Sequence, residues 1–314
     1  MSDVREWFDA LPRVLFVHAH PDDETITTGG TLAALAAAGR EPLLVTLTRG
    51  ERGEVTEGPF AGLTGDALAA HRETELAAAL AMLSADPGIR HAYLGTPPAR
   101  AAGLVRRRYE DSGMRWGEDG LATAAEDAPP AALTRADAVD PLTDLIALAD
   151  EWGAEAVASY DENGGYGHPD HVFAHRAARA VAAGLELPFW EIVPAEAAAA
   201  ADSDDEAVEV HDVSPWLDRK VAALRAHGTQ LAVEQTADGP GIGDGEAGSS
   251  GSGYEIVHGP RRSEQSDALR AVCPDPGPGI GDGEAGSSGS GYEIVHVGGQ
   301  RQPVDRAEVF RRLG

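Results

Sequence analysis

Short apolar runs alternate with helix-length amphipathic stretches through the first two thirds of the chain, and that alternation leaves few folds open. Residues 14–19 form a run rich in branched and aromatic side chains, the pattern of a buried strand, and residues 29–38 read as a helix closed by Gly39. Residues 43–47 give a second strand. The helix after it has Asp66 at its N-cap and Leu68, Leu76, Leu80 and Leu83 near one stripe. Residues 91–94 read as a third strand. Pro141, capped by Asp140, opens a helix with Leu142, Leu145, Ile146 and Ala149 on one face. Strand 156–160 leads through a loop to a helix over 169–183, and residues 215–226 give another helix. The sum predicts an α/β fold: a mostly parallel sheet with helices on both faces, followed by a smaller irregular C-terminal portion. Ligands of such sheets bind beyond the carboxyl ends of the strands, which singles out two loops, residues 18–30 and 161–171.

The remaining segments carry less pattern. Residues 96–138 are long and irregular, a lid or a disordered loop. Residues 195–212 are Ala-rich and then acidic, as a solvated surface segment would be. Residues 240–258 and 278–296 are the same nineteen residues, PGIGDGEAGSSGSGYEIVH. Two Gly/Ser-rich copies cannot bury a solenoid core, so each reads as a loop feeding a short Tyr-Glu-Ile-Val strand.

Charge excludes one class of partner. Lys and Arg number 25 against 52 Asp and Glu, a formal charge of -27, so phosphate backbones are repelled and nucleic acid is not an expected partner. Arg106-Arg107-Arg108 is the basic cluster of the first half and reads as a solvated loop. The lone cysteine, Cys273, forms no intrachain disulfide, and neither a signal peptide nor a membrane-length apolar stretch is apparent. A cytoplasmic location is the expectation.

The two loops carry the chemistry. In the first, His18-Ala19-His20-Pro21-Asp22-Asp23-Glu24, His20 and Asp23 stand three apart after a buried strand, within reach of one ion if the chain turns at Pro21. Asp22 would then point elsewhere, free to accept a proton from water. Three acids directly after a buried strand are costly without a cation, although the N-terminus of a helix also favours carboxylates. In the second loop, residues 160–171, His171 is a third ligand and His168 a group to polarise a carbonyl or protonate a leaving amine. Asp170 could orient an imidazole. His171 and His175 have the spacing of a zincin pair, but Val172 stands where that motif requires Glu, so His175 reads as packed or solvated.

Together, His20-Pro21-Asp22-Asp23-Glu24 and Gly164-Gly165-Tyr166-Gly167-His168-Pro169-Asp170-His171 resemble the metal loops of the LmbE-like (PIG-L) deacetylase family. Residues 48–55 (Thr-Arg-Gly-Glu-Arg-Gly-Glu-Val), Asp111-Ser112-Gly113-Met114 and residues 222–230 resemble further segments of it. The resemblance implies a Rossmann-like deacetylase domain over residues 1–235, with 236–314 as an appendage of the same domain. It implies that His20, Asp23 and His171 hold Zn2+, with Fe2+ fitting the same ligands. It also implies that Asp22 is the general base, that His168 stabilises the oxyanion or protonates the amine, and that Tyr166 helps to polarise the carbonyl. Arg72 and Asp111 match substrate-contacting positions, though a helix-surface Arg72 pairing with Glu73 or Glu75 fits the sequence as well. Within the family the chain is most similar to the mycothiol-pathway branch. The implied partner is then a small N-acetylated amino sugar, N-acetylglucosaminyl-inositol, hydrolysed to acetate and a free amine. The alternatives are a mycothiol S-conjugate amidase, a deacetylase of another N-acetyl sugar and, in a different class, a non-catalytic sugar-binding protein. Oligomeric state is not written in the sequence.

Overall fold

All five residues of strand β1 (Val14–His18) are buried, as a strand covered on both faces must be. The computed structural model describes residues 3–84, 88–116, 122–194, 207–236 and 290–314, all within one compact unit. After β1 come α1 (Asp23–Ala37), β2 (Leu43–Thr46), α2 (Gly65–Leu83) and β3 (Arg90–Tyr93). A small hairpin, β4 (Met114–Trp116) with β5 (Ala122–Ala124), precedes α3 (Val139–Trp152) and β6 (Ala156–Tyr160). One turn, α4 (Gly164–Gly167), leads into α5 (Pro169–Gly184), β7 (Phe189–Val193), β8 (Val208–Asp212) and α6 (Leu217–Ala226). The last strands are β9 (Leu231–Gln235), β10 (Tyr292–His296), β11 (Arg301–Pro303) and β12 (Ala307–Leu313).

Seven strands form the central sheet in the order β3-β2-β1-β6-β7-β12-β8. The first five run parallel, and β12 lies antiparallel between β7 and β8. The expected α/β sheet with helices on both faces is therefore the observed one. Alternation along β1 divides the core. Leu15 and Val17 pack with Val45, Leu145, Leu148 and Val181 on one face, where α3 and α5 lie. Val14 and Phe16 pack with Leu32, Leu35, Leu83 and Trp190 on the other, where α1 and α2 lie. A third cluster (Leu217, Val221, Leu224, Leu231, Ile294 and Val304) joins α6 to the antiparallel sheet β11-β10-β9. Strand order runs outward in one direction from β1 and in the other from β6, so their carboxyl ends meet at the switch point where such sheets bind ligands.

Several local expectations are corrected. Helix α1 starts at Asp23 rather than 29, because its first two turns bury Asp23, Glu24, Thr25 and Thr28, polar residues that hide the helical period. Thr64, in extended conformation, takes the N-cap position of α2, and Asp66 instead pairs with Arg108 at 2.8 Å. Helix α3 begins at Val139, so Asp140 and Pro141 lie inside its first turn. Arg107 and Arg108 are not free in solvent: the first pairs with Asp140, the second with Asp66 and Glu51. The supposed surface stretch before 212 contains β8, paired along its length with β12. The long stretch before α3 holds the β4–β5 hairpin and a 3-10 turn, Leu133–Arg135. Of the duplicated Tyr-Glu-Ile-Val, the second copy is β10. Residues 240–258 and Cys273 lie outside the described residues.

The C-terminal strand is fastened to α1 by Glu308. Its carboxylate accepts from the Gly30 and Thr31 backbone N–H groups (2.9 and 2.8 Å) and from Lys220 Nζ (2.7 Å), with Glu308 and Lys220 both buried. Gly30 is required there, because a Cβ would stand 2.4 Å from Val213 Cβ. Removing one partner of a buried pair strands the other charge, so Glu308→Ala is expected to lower the unfolding free energy by about 3–5 kcal/mol, read from urea melts.

Candidate active site

The chain leaves β1 through Ala19 and His20, turns at Pro21, and enters α1 at Asp23. Asp22 sits at the turn with φ 113° and ψ −34°, a region that costs a non-glycine residue about 1–3 kcal/mol. Both flanks of the turn are tied down. The Asp22 N–H donates to Glu24 Oε2 (3.0 Å), and Gln230 Nε2 donates to the Pro21 carbonyl (2.6 Å). Glu24 is itself buried against His227 Nε2 at 3.3 Å. The second loop approaches from β6. Gly164 has no room for a side chain, since a Cβ would lie 2.7 Å from Val172 N and 2.8 Å from His171 Cβ. That close approach carries His171, in the first turn of α5, against the end of β1.

Three atoms converge as a result. His20 Nδ1 and Asp23 Oδ2 are 3.4 Å apart, His171 Nε2 and Asp23 Oδ2 3.4 Å, and His171 Nε2 and His20 Nδ1 3.3 Å. Ligands at 2.0–2.1 Å around a tetrahedral ion are separated by about 3.3–3.4 Å, so this triangle has the dimensions of three corners of such a site. The far ring nitrogens are held as a metal-binding imidazole requires: His20 Nε2 faces Asp170 Oδ2 at 3.2 Å, and His171 Nδ1 faces the Gly164 carbonyl at 3.3 Å. His168 joins His20 and His171, and Asp111 joins Asp170 at His20, in two further groups that could gather around an ion. His20 Nε2 faces Asp111 and Asp170, and its Nδ1 faces Asp23 and His171.

The electrostatics call for a cation. Burial opposes charge on His20, yet Asp111, Asp170 and Asp23 raise its pKa well above the ordinary imidazole value. Burial likewise opposes the Asp23 carboxylate, but His171 and His20 hold it well below the usual range. Buried Asp170 Oδ1 has no hydrogen-bond partner. A group of two imidazoles and a carboxylate, with two more carboxylates behind, suits a divalent ion of the zinc or iron type.

The other expected residues surround the triangle. Burial, with Asp23 beside it, pushes the Asp22 carboxyl up to about 8. His168 is buried, its ring 4.6 Å from that of His20. Burial and the two neighbouring histidines push it down to about 2. Its Nδ1 accepts from the Asp170 backbone N–H (3.1 Å), which leaves the proton of the neutral ring on Nε2. Tyr166 is 45% exposed, its ring 5.2 Å from that of His171 and 5.9 Å from exposed Trp116. Asp170 also accepts from Ser112 N (2.9 Å), and Asp111 from Gly113 N (2.8 Å) and Arg52 N (3.3 Å). Arg72 is not a surface charge. Its guanidinium is buried and donates to the Gly50 and Glu54 carbonyls, while Glu75 binds Thr229 and Glu73 binds Arg49. His175 is packed, with Nδ1 donating to the Tyr160 carbonyl at 2.9 Å.

Reading the sequence overlooked Tyr160, whose hydroxyl lies 2.6 Å from Asp23 Oδ2, and the Glu24–His227 pair behind Asp22. A signal for Tyr160 was present: a hydroxyl-bearing aromatic ending a buried strand directly before a histidine-rich loop. His227 lies about 200 residues from its partner, and no local pattern joins them.

The family described as GlcNAc-PI de-N-acetylase, PIG-L, matches residues 15–182. A 1D-myo-inositol 2-acetamido-2-deoxy-alpha-D-glucopyranoside deacetylase of Kineococcus radiotolerans is 37% identical over 276 residues, covering 76% of this chain and 74% of that protein. A protein of the same description from Saccharopolyspora erythraea is 38% identical, covering 74% of this chain and 83% of the relative. Among solved structures the chain is similar to the N,N'-diacetylchitobiose deacetylase of Pyrococcus horikoshii, with TM-score 0.48 and 20% identity over 72% of this chain and 73% of that one. Among the described residues, no helix is long and apolar enough to cross a membrane.

Proposed function

The chain belongs to the PIG-L de-N-acetylase family, and from that premise we propose that it hydrolyses the acetamide of N-acetylglucosaminyl-inositol, giving acetate and a free amine. The observation that carries the reading is the triangle of His20 Nδ1, Asp23 Oδ2 and His171 Nε2, with sides of 3.3–3.4 Å. Zn2+ is the proposed ion, and Fe2+ takes the same donors. When bound, such an ion supplies a Lewis acid and makes water acidic enough to lose a proton near neutrality.

The chain's own residues do the rest. Asp22 takes the proton of the attacking water as the water oxygen bonds to the acetamide carbon. Burial and neighbouring Asp23 push its carboxyl up to about 8, a value at which it would already carry a proton near neutrality. A cation beside it would draw that value back towards the carboxylate form. Negative charge develops on the carbonyl oxygen, and the Nε2–H of neutral His168 is the donor for it, with the Tyr166 hydroxyl as a second. A ring pushed down to about 2, with Nδ1 already accepting from Asp170 N–H, is poorly suited to carry the proton to the leaving group. That favours the oxyanion role for His168 over protonation of the amine. The proton held by Asp22 then passes to the departing nitrogen as the C–N bond breaks. Asp170 orients the His20 imidazole, and Arg72 and Asp111 flank the sugar end.

The substrate assignment rests on the relatives' descriptions, and a side-by-side assay tests it. Acetate or amine release is measured from N-acetylglucosaminyl-inositol, free N-acetylglucosamine and a mycothiol S-conjugate under the same metal loading. The first is expected to give the highest kcat/KM. A preference for the S-conjugate would make the chain an amidase, and binding of the first without turnover would make it a sugar-binding protein.

A further inference from the structure

We infer that Tyr160 is a positioning residue of the metal centre, its hydroxyl fixing the Asp23 carboxylate and its ring fixing the plane of His171. The inference rests on the reading that His20, Asp23 and His171 hold the ion. Tyr160 ends β6, the strand beside β1, and its side chain crosses to the end of that neighbour. The Ala19 backbone N–H donates to the phenol oxygen at 2.8 Å, and the phenol oxygen lies 2.6 Å from Asp23 Oδ2. With Ala19 N–H pointing at the oxygen, the phenol's own proton is directed to Asp23 Oδ2.

The ring acts on a second ligand. It lies parallel to the His171 imidazole, centroids 4.2 Å apart and planes 11° from each other, while His18 meets it edge-on at 5.4 Å. His175, one turn after His171 on α5, donates to the Tyr160 carbonyl, so backbone, ring and hydroxyl are each held. Asp23 Oδ2 also accepts from the His20 N–H at 2.9 Å. One side chain therefore links the two loops through two of the three ligands, which are 148 residues apart in sequence at Asp23 and His171. Partners of this kind orient ligands and raise metal affinity.

The test is a Co2+ titration of the metal-stripped full-length protein, followed by its visible absorption. Tyr160→Phe keeps the ring and deletes the hydroxyl, and its Kd for Co2+ is expected to rise about 10–100-fold. Tyr160→Leu, which also removes the ring, should weaken binding further and change the band shape as His171 loses its orientation. Ser159→Ala is the structural control: it deletes a buried hydrogen bond between the same two strands, Ser159 Oγ to the Val17 carbonyl at 2.9 Å, without touching a ligand. Its Kd should equal that of the wild type. Unchanged affinity in Tyr160→Phe, or an equal loss in Ser159→Ala, would overturn the inference. A wild-type protein that takes up no Co2+ would instead remove the metal reading on which it stands.

Discussion

Asp22→Ala is expected to reduce kcat by about 10²–10⁴-fold, the usual contribution of a positioned acid–base group, while the protein keeps its metal. Asp22 contributes none of the three converging ligand atoms, so metal content by elemental analysis should match that of the wild type. Asp22→Asn, with the same shape but no capacity to take a proton, should fall to a similar rate. The backbone allows a sharper version. At φ 113° and ψ −34° the residue is strained, and glycine adopts that region without penalty. Asp22→Gly is therefore expected to melt no lower than the wild type and still lose turnover, because the conformation is kept for the carboxylate it aims rather than for stability. Near-normal rates in Asp22→Ala would remove the base assignment.

His171→Ala should have the other large effect, loss of the metal together with the activity. It deletes one corner of the triangle and the ring stacked on Tyr160. The loss of affinity should exceed the roughly 10–100-fold that removal of an outer partner costs. His175→Ala is the informative contrast. It lies one helical turn away and is equally buried, but it donates to a backbone carbonyl instead of facing the triangle. It should cost about 1–3 kcal/mol of stability by orphaning that carbonyl and leave metal binding in place. Equal metal loss in both variants would mean that the ligands have been misassigned.

The parallel sheet was legible because its strands are covered on both faces. Residues 14–18 and 156–160 are short buried runs bounded by polar residues, and α3 and α5 carry enough apolar positions to show a face. The site was legible in its two loops because histidines and aspartates cluster where two strands end, where such sheets place their ligands. The start of α1 was not legible, since its first turns bury acids and threonines whose partners come from elsewhere: Tyr160 for Asp23 and His227 for Glu24. Strand β8 was hidden for a related reason. Val208 and Val210 alternate with Glu209 and His211 after an acidic stretch, and the strand's one neighbour in the sheet among the described residues, β12, comes about a hundred residues later. Arg72 reads as a surface helix charge because its carbonyl partners at Gly50 and Glu54 lie in a loop with no periodicity. Buried polar side chains are matched over long distances, and local pattern does not record those matches.

The central claim is that one ion held by His20, Asp23 and His171 is needed for acetamide hydrolysis. Acetate release from N-acetylglucosaminyl-inositol, measured on the purified protein before chelation, after chelation and after return of one equivalent of Zn2+, tests it most directly. The account predicts that chelation abolishes release and that a single equivalent per chain restores it, with no restoration in His171→Ala. Undiminished acetate release from protein shown by elemental analysis to be free of metal would contradict it.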